Sequence, residues 1–177
     1  VIGKLAPMTA NAPNDLVAAD RMWREYLAAH PESAAVPEQP DEPAVERFGD
    51  SAELTDALLA LVLDGTKTAT SALVAEYRGE AQPLPRVGSH WIACDSTGRP
   101  RAVLRSVELR VGPMWSADEA FAADEGEDDR SLTSWRVEHE RYWRRSCDRL
   151  GIGWSDELEV VFERFEVVWP ARQGDAV

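Results

Sequence analysis

The spacing of hydrophobic positions changes along the chain, and each change marks a different kind of element. Asp15 precedes Leu16, Met22, Trp23, Tyr26 and Leu27, which share one helical face in a run ending near His30-Pro31. Asp50 and, three residues on, Glu53 form a candidate capping box for a second helix carrying Leu54, Ala57, Leu58, Leu61 and Val62, which Gly65 stops. A third, short helix is predicted over Thr68–Tyr77, before Pro83-Leu84-Pro85 changes the character of the chain. From Gly88 the apolar period becomes two. His90–Cys94, a Ser96–Pro100 turn and Ala102–Val111 read as a hairpin. Over Ser131–Leu150 the period is helical again, with Leu132, Trp135, His139, Tyr142, Trp143 and Cys147 in one arc and Arg141 and Arg145 opposite. A last strand, Glu159–Trp169, alternates Val161, Phe162, Phe165, Val167 and Val168 with charged residues.

Strands that do not alternate regularly with helices exclude a βαβ architecture. They predict an α+β fold, with a small antiparallel barrel flanked by helices. Residues 1–14 lack any period and read as a mobile lead-in, and Pro31–Pro43, with four prolines, as an extended connector. The expected division is an N-terminal helical appendage over 1–45, a core domain over 46–170 and a tail over 171–177. There is no internal repeat.

Composition narrows the function. The chain has 177 residues, 44% hydrophobic and 29% charged, enough for one domain with its own core. No apolar run is long enough for a membrane helix and no signal-peptide layout is present, so no membrane partner and a cytoplasmic location are expected. Cys94 and Cys147 lie far apart without metal-ligand spacing, so two reduced, buried thiols are expected rather than a disulfide or a zinc site. The net charge of −13 argues against loose binding along nucleic-acid backbone, but leaves room for a local basic cleft, because charges screen over about 8 Å at physiological salt.

Two segments could carry chemistry. Gly65-Thr66-Lys67-Thr68-Ala69-Thr70 holds a lysine and hydroxyls on a turn after a helix. It is not a P-loop, whose two glycines follow a strand, and a lysine complementing a helix dipole is the plain alternative. Asp118–Asp129 contains seven acidic residues in twelve, without the ligand alternation and central glycine of an EF-hand, and reads as a solvated loop rather than a metal site. Ser131, which follows, is a helix cap or a substrate contact. His139, in the middle of an apolar arc, reads as a core histidine, and His30 and His90 have no partner at a telling spacing.

Phe48-Gly-Asp-Ser, Gly65-Thr-Lys-Thr-Ala-Thr-Ser, Glu125-Gly-Glu-Asp-Asp-Arg-Ser-Leu, Trp135-Arg-Val-Glu-His139 and Glu163-Arg-Phe-Glu-Val-Val together resemble the ASCH family, in its longer bacterial form, over about 47–169. The resemblance implies a fold similar to PUA-like RNA-binding barrels, with RNA or a modified nucleoside as partner and no cofactor or metal. A shorter ASCH enzyme removes the acetyl group of N4-acetylcytidine. Its lysine, threonine and glutamate match Lys67, Thr70 and Glu125 here, with Glu127 or Asp124 as alternatives for the acid. Among longer members a ribonuclease activity has been attributed to a similar protein. The implied catalytic set is therefore Lys67, Thr70 and Glu125, with Tyr77, Arg86, Arg130 and Ser131 as substrate contacts. No protein partner is identifiable.

Three readings follow. Amide hydrolysis would use Thr70 as nucleophile, Lys67 as base and Glu125 as proton carrier. It needs a partly neutral lysine, and moving its pKa from about 10.4 to about 7 costs roughly 4.6 kcal/mol. Phosphodiester cleavage accepts a charged Lys67 as electrostatic stabiliser, with Glu125 or a hydroxyl assisting proton transfer at the ribose 2′-oxygen, and is the expected activity. A non-catalytic module would hold phosphate with Lys67, Arg86 and Arg130, and stack a base on Tyr77 or a tryptophan.

Overall fold

Asp15 starts the first helix, α1 (Leu16–Ala29), by accepting a hydrogen bond from the Ala18 N–H at 2.9 Å, which satisfies one of the donors a helix start leaves open. The computed structural model of the chain describes residues 10–31, 33 and 43–170. The expected connector within 34–42, the first nine residues of the lead-in and the tail over 171–177 lie outside the described residues. The chain divides into two compact units. One is drawn from residues up to Leu63, His90–Leu104 and Val167 onward, the other from Asp64–Ser89 and Arg105–Glu166.

In the first unit, α1 buries Ala19, Trp23 and Tyr26 against Ile92, Cys94 and Val103. Leu16, expected in the same stripe, is largely exposed, because that apolar cluster begins only at Ala19. Residues 10–14 are not the loose lead-in expected. The Ala12 and Asp15 N–H groups donate to the Ser96 and Gly98 carbonyls at 2.9 and 2.8 Å, and the Asn14 side chain donates to the Val45 carbonyl at 2.8 Å. Gly98, at φ +84°, lets Pro13 approach so closely that a Cβ there would fall 1.9 Å from the Pro13 carbonyl oxygen.

A three-residue strand, β1 (Ala44–Glu46), was too short to show a period. It pairs in parallel with β3 (His90–Cys94), Val45 opposite Ile92, so the sheet is mixed rather than antiparallel throughout. Helix α2 (Ala52–Asp64) is capped by Ser51, whose Oγ accepts from the Leu54 N–H at 3.2 Å, instead of by Asp50, and buries Thr55, Leu58, Leu59 and Val62. The expected hairpin is present: β3 turns through Asp95–Arg99 into β4 (Pro100–Pro113). Cys94 is a buried free thiol whose burial pushes its pKa up to about 11, as expected of an unreactive cysteine.

In the second unit the segment expected as a third helix is β2 (Ala69–Leu73), followed by a single helical turn and a half, α3 (Val74–Gly79). The Ala-Thr-Ser-Ala run gives no hydrophobic period. Its state is decided by antiparallel pairing with β5 (Glu159–Trp169), Thr70 opposite Glu163 and Ser71 opposite Phe162. The acidic run is not all loop: Asp118 caps a helix, α4 (Glu119–Glu125), that follows a short 3-10 turn at Met114–Ser116. Ser131 caps α5 (Leu132–Leu150), and Trp135, Trp143 and Cys147 of α5 pack with Phe121, Phe162, Leu73 and Val160. The strand order is β1-β3-β4-β5-β2, and β4 and β5 contribute residues to both units. Among the described residues no helix is long and apolar enough to cross a membrane.

Candidate functional site

Gly65, at φ +87°, ends α2, and the turn after it is tied down on both sides. The Thr66 N–H donates to the Asp64 carboxylate at 2.8 Å, the Thr68 N–H donates to the Asp124 carbonyl at 2.8 Å, and the Phe165 N–H donates to the Thr68 carbonyl at 2.9 Å. Across from this turn, α4 ends at Gly126 in the left-handed region, where a Cβ would fall 2.6 Å from the Thr66 carbonyl oxygen. Only glycine allows the end of α4 this close. Lys67 and Glu125 are thereby brought together from 58 residues apart.

Lys67 and Glu125 are each 1% exposed, and Lys67 Nζ donates to Glu125 Oε2 at 2.8 Å. It also donates to Glu127 Oε1 at 2.6 Å, and Glu127 is 24% exposed, so this carboxylate forms the solvent side of the cluster. The other oxygen of Glu125 accepts from Ser71 Oγ at 2.6 Å and from the Trp135 indole N–H at 3.0 Å. His139 Nε2 lies 3.4 Å from that same oxygen. The ring is oriented by Nδ1–H, which donates to the Trp135 carbonyl at 2.9 Å, and by stacking on the Trp135 ring at 4.2 Å.

Burial alone would favour neutral forms of all three groups, and in each case the opposite charges outweigh it. Burial pushes the Lys67 pKa down, but Glu125 and Glu127 raise it above its ordinary value. Burial pushes the Glu125 carboxyl up, yet Lys67 and His139 hold it well below the usual carboxylate range. His139, with burial against it and Glu125 beside it, is raised. The cluster is therefore an ammonium, a fixed carboxylate and an imidazole favouring its charged form. With donors on both oxygens, Glu125 is an anchor and a poor proton acceptor. Glu127, at the solvent edge, keeps an oxygen for other work.

Thr70 is elsewhere. Neighbouring residues of a strand point to opposite faces, and Ser71 points to Glu125, so Thr70 faces away, beside its cross-strand partner Glu163. Glu163 is 4% exposed and accepts from the buried Ser106 hydroxyl at 2.5 Å, a second carboxylate that the alternation of β5 concealed as one more charged position. Among the described residues no hydrogen bond joins the Thr70 hydroxyl to Lys67 or Glu125. Tyr77 is half-buried on α3 and Arg86 is exposed before β3. Arg130 is exposed, at φ +63°, and its Nε–H donates to the Ala123 carbonyl at 3.1 Å. The Ser131 hydroxyl accepts from the Ser134 N–H at 3.1 Å, the helix-capping role.

Ser71, Trp135 and His139 were not singled out by sequence for this centre. The signal for the last two is their i, i+4 spacing on the buried face of α5. Glu125, Glu127 and His139 also present ligand atoms within 4.8 Å of one another, the spacing of a cation cage, and the Lys67 ammonium already rests against both carboxylates.

A family model of the ASCH domain matches residues 44–169. No curated protein matches the chain. Among solved structures, the ASCH domain from Lactobacillus crispatus superposes with a TM-score of 0.76 at 25% identity, covering 86% of this chain and 94% of that one. A protein from Enterococcus faecalis superposes with a TM-score of 0.75 at 29% identity, covering 86% of this chain and 88% of that one.

Proposed function

Because the chain belongs to the ASCH domain family and has its PUA-like α+β fold, we propose that it binds RNA and cleaves a phosphodiester bond at the Lys67 centre. The observation that carries this reading is the state of Lys67, buried and kept charged by two carboxylates of which one, Glu127, reaches solvent. A charged ammonium at a fixed position is suited to negative charge developing on phosphate oxygens, and in a water-poor site it acts with little reorganisation.

In this reading Glu127 leaves Lys67 as the phosphate arrives, and its carboxylate takes the proton of the ribose 2′-hydroxyl. The 2′-oxygen bonds to phosphorus and the bond to the 5′-oxygen breaks, giving a 2′,3′-cyclic phosphate. The departing 5′-oxygen takes a proton from water. Glu125 holds Lys67 throughout, and Ser71, Trp135 and His139 hold Glu125. Amide hydrolysis of N4-acetylcytidine draws less support, since it asks for a neutral Lys67 with Thr70 beside it.

The test is turnover of end-labelled single-stranded RNA and of N4-acetylcytidine by metal-free protein, next to Lys67→Ala and Glu127→Gln prepared identically. RNA cleavage is expected, lost in Lys67→Ala and reduced by about 100- to 10,000-fold in Glu127→Gln, the usual range for a removed general base. Glu127→Gln should bind RNA at least as tightly as the wild type, because a competitor for Lys67 is gone. Binding that depends on Lys67 without turnover would leave a recognition module, and consumption of the acetylated nucleoside would restore amide hydrolysis.

A further inference from the structure

Trp115 stands out among the larger apolar side chains of the second unit, because it is 56% exposed and yet firmly held. It sits in the 3-10 turn at Met114–Ser116, which two arginines clasp from different elements. Arg110 of β4 donates to the Ser116 hydroxyl at 2.9 Å and to the Ser116 carbonyl at 3.0 Å. Arg136 of α5 donates to the Trp115 and Ala117 carbonyls at 3.1 and 3.4 Å. The indole N–H donates to Glu157 at 3.1 Å, which fixes the ring's edge.

A tryptophan exposed by accident would have a mobile ring on an ordinary turn. Here the backbone on both sides and the ring's polar edge are all tied, so an aromatic face is presented to solvent with little rotational freedom left to lose on binding. The hydrogen bonds of both guanidiniums go to neutral oxygens. Arg110 also lies over the buried Phe162 ring, 3.8 Å from its centroid, so Arg136 is the guanidinium whose charge is engaged, among the described residues, by neither a carboxylate nor a ring. A rigid aromatic face with the Arg136 cation beside it matches the base and the backbone of a single-stranded nucleic acid. The position also fits. Arg136 follows Trp135 directly on α5, and Trp135 donates to Glu125, so consecutive residues of one helix serve the aromatic face and the Lys67 centre.

We propose that Trp115 is a stacking platform for a base of single-stranded RNA, with Arg136 beside it for the backbone and Arg110 holding the turn. This rests on the RNA reading given above and names a part of the surface that reading does not use.

The experiment measures binding of a labelled single-stranded RNA decamer, and of the same decamer carrying abasic riboses, to wild type, Trp115→Ala, Trp115→Phe and Lys67→Ala at fixed salt. Trp115→Ala should weaken binding of the intact RNA by about five- to a hundredfold, the range for losing one stacked base. Trp115→Phe should recover most of it, and Trp115→Ala should bind the abasic strand as the wild type does. If Trp115→Ala binds intact RNA like the wild type while Lys67→Ala does not, the platform is wrong and the RNA site stands. If the wild type binds neither strand, both fall. If Trp115→Ala instead changes the sedimentation behaviour of the protein alone, the ring is a self-contact and the proposal is overturned.

Discussion

Lys67 Nζ and Glu127 Oε1 are 2.6 Å apart, although the lysine is buried and the glutamate reaches solvent. On its inner side the same ammonium meets the buried Glu125 at 2.8 Å. The two carboxylates therefore have different consequences when changed. Glu125 is sealed with its counter-charge, whereas Glu127 can exchange Lys67 for water.

Neutralising one partner of the sealed pair leaves the other charge buried. Lys67→Met and Glu125→Gln are each expected to destabilise the fold by about 3–5 kcal/mol, the usual effect of breaking a buried pair. The double variant should lose less than the two single losses added, by about 1–3 kcal/mol, because both charges are then gone. Urea unfolding of the four proteins checks this. Simple additivity would mean that the pair is not coupled in solution. Glu127→Gln should change stability far less than Glu125→Gln.

The pH dependence has a definite sign. His139 binds its proton more tightly folded than unfolded, so its contribution is full below about 6.5, its unfolded value, and is lost as pH rises through the higher folded value. Glu125 acts at the other end: its contribution is present above the unfolded value of about 4.3 and is lost as pH falls towards its depressed folded value. Urea midpoints from pH 6 to 9 should fall in the wild type and fall less in His139→Gln. Parallel curves would show that His139 is not protonated next to Glu125.

The left-handed glycine at the end of α4 gives a third test. In Gly126→Ala a Cβ would meet the Thr66 carbonyl oxygen at 2.6 Å, at a φ of +73° that alanine also resists. The two effects together should cost more than about 1 kcal/mol. Since the strain falls on the turn carrying Lys67, RNA affinity should drop as well. Gly88→Ala is the control: it has a similar φ of +88° but nothing within 4 Å of the added Cβ, so it should show only the backbone effect. Equal losses in the two variants would remove the close approach at Gly126 as a cause.

Much of this arrangement was legible in advance. The strand Glu159–Trp169 and the helix from Ser131 could be placed because alternation and a helical arc each run over more than ten residues. β2 could not, because Ala69, Thr70 and Ser71 have no hydrophobic period, and their strand state is imposed by β5. Lys67 and Glu125 stood in recognisable motifs. Their fixed geometry depends on Gly126 approaching Thr66, on Trp135 and on His139, and long-range contacts of that kind leave no local spacing. Thr70 illustrates the limit: three residues from Lys67 in sequence, it was expected at the centre, and the pleat of β2 turns it to the other face.

The Lys67 ammonium also determines what else can enter the cage. Two carboxylates and an imidazole with ligand atoms within 4.8 Å would ordinarily suit a divalent ion. With Nζ at 2.8 and 2.6 Å from the two carboxylates, an incoming ion would meet a resident positive charge. Removing that charge should open the cage. Lys67→Ala is expected to gain affinity for zinc or manganese, seen as binding heat and as a rise in the unfolding temperature with added metal, with little effect on the wild type. His139→Ala made in the Lys67→Ala background should abolish most of that gain, since the cage then lacks its nitrogen ligand. If Lys67→Ala responds to metal no more than the wild type does, the three groups do not converge closely enough to coordinate an ion, and the geometry assigned to Glu127 at the solvent edge would have to be revised with it.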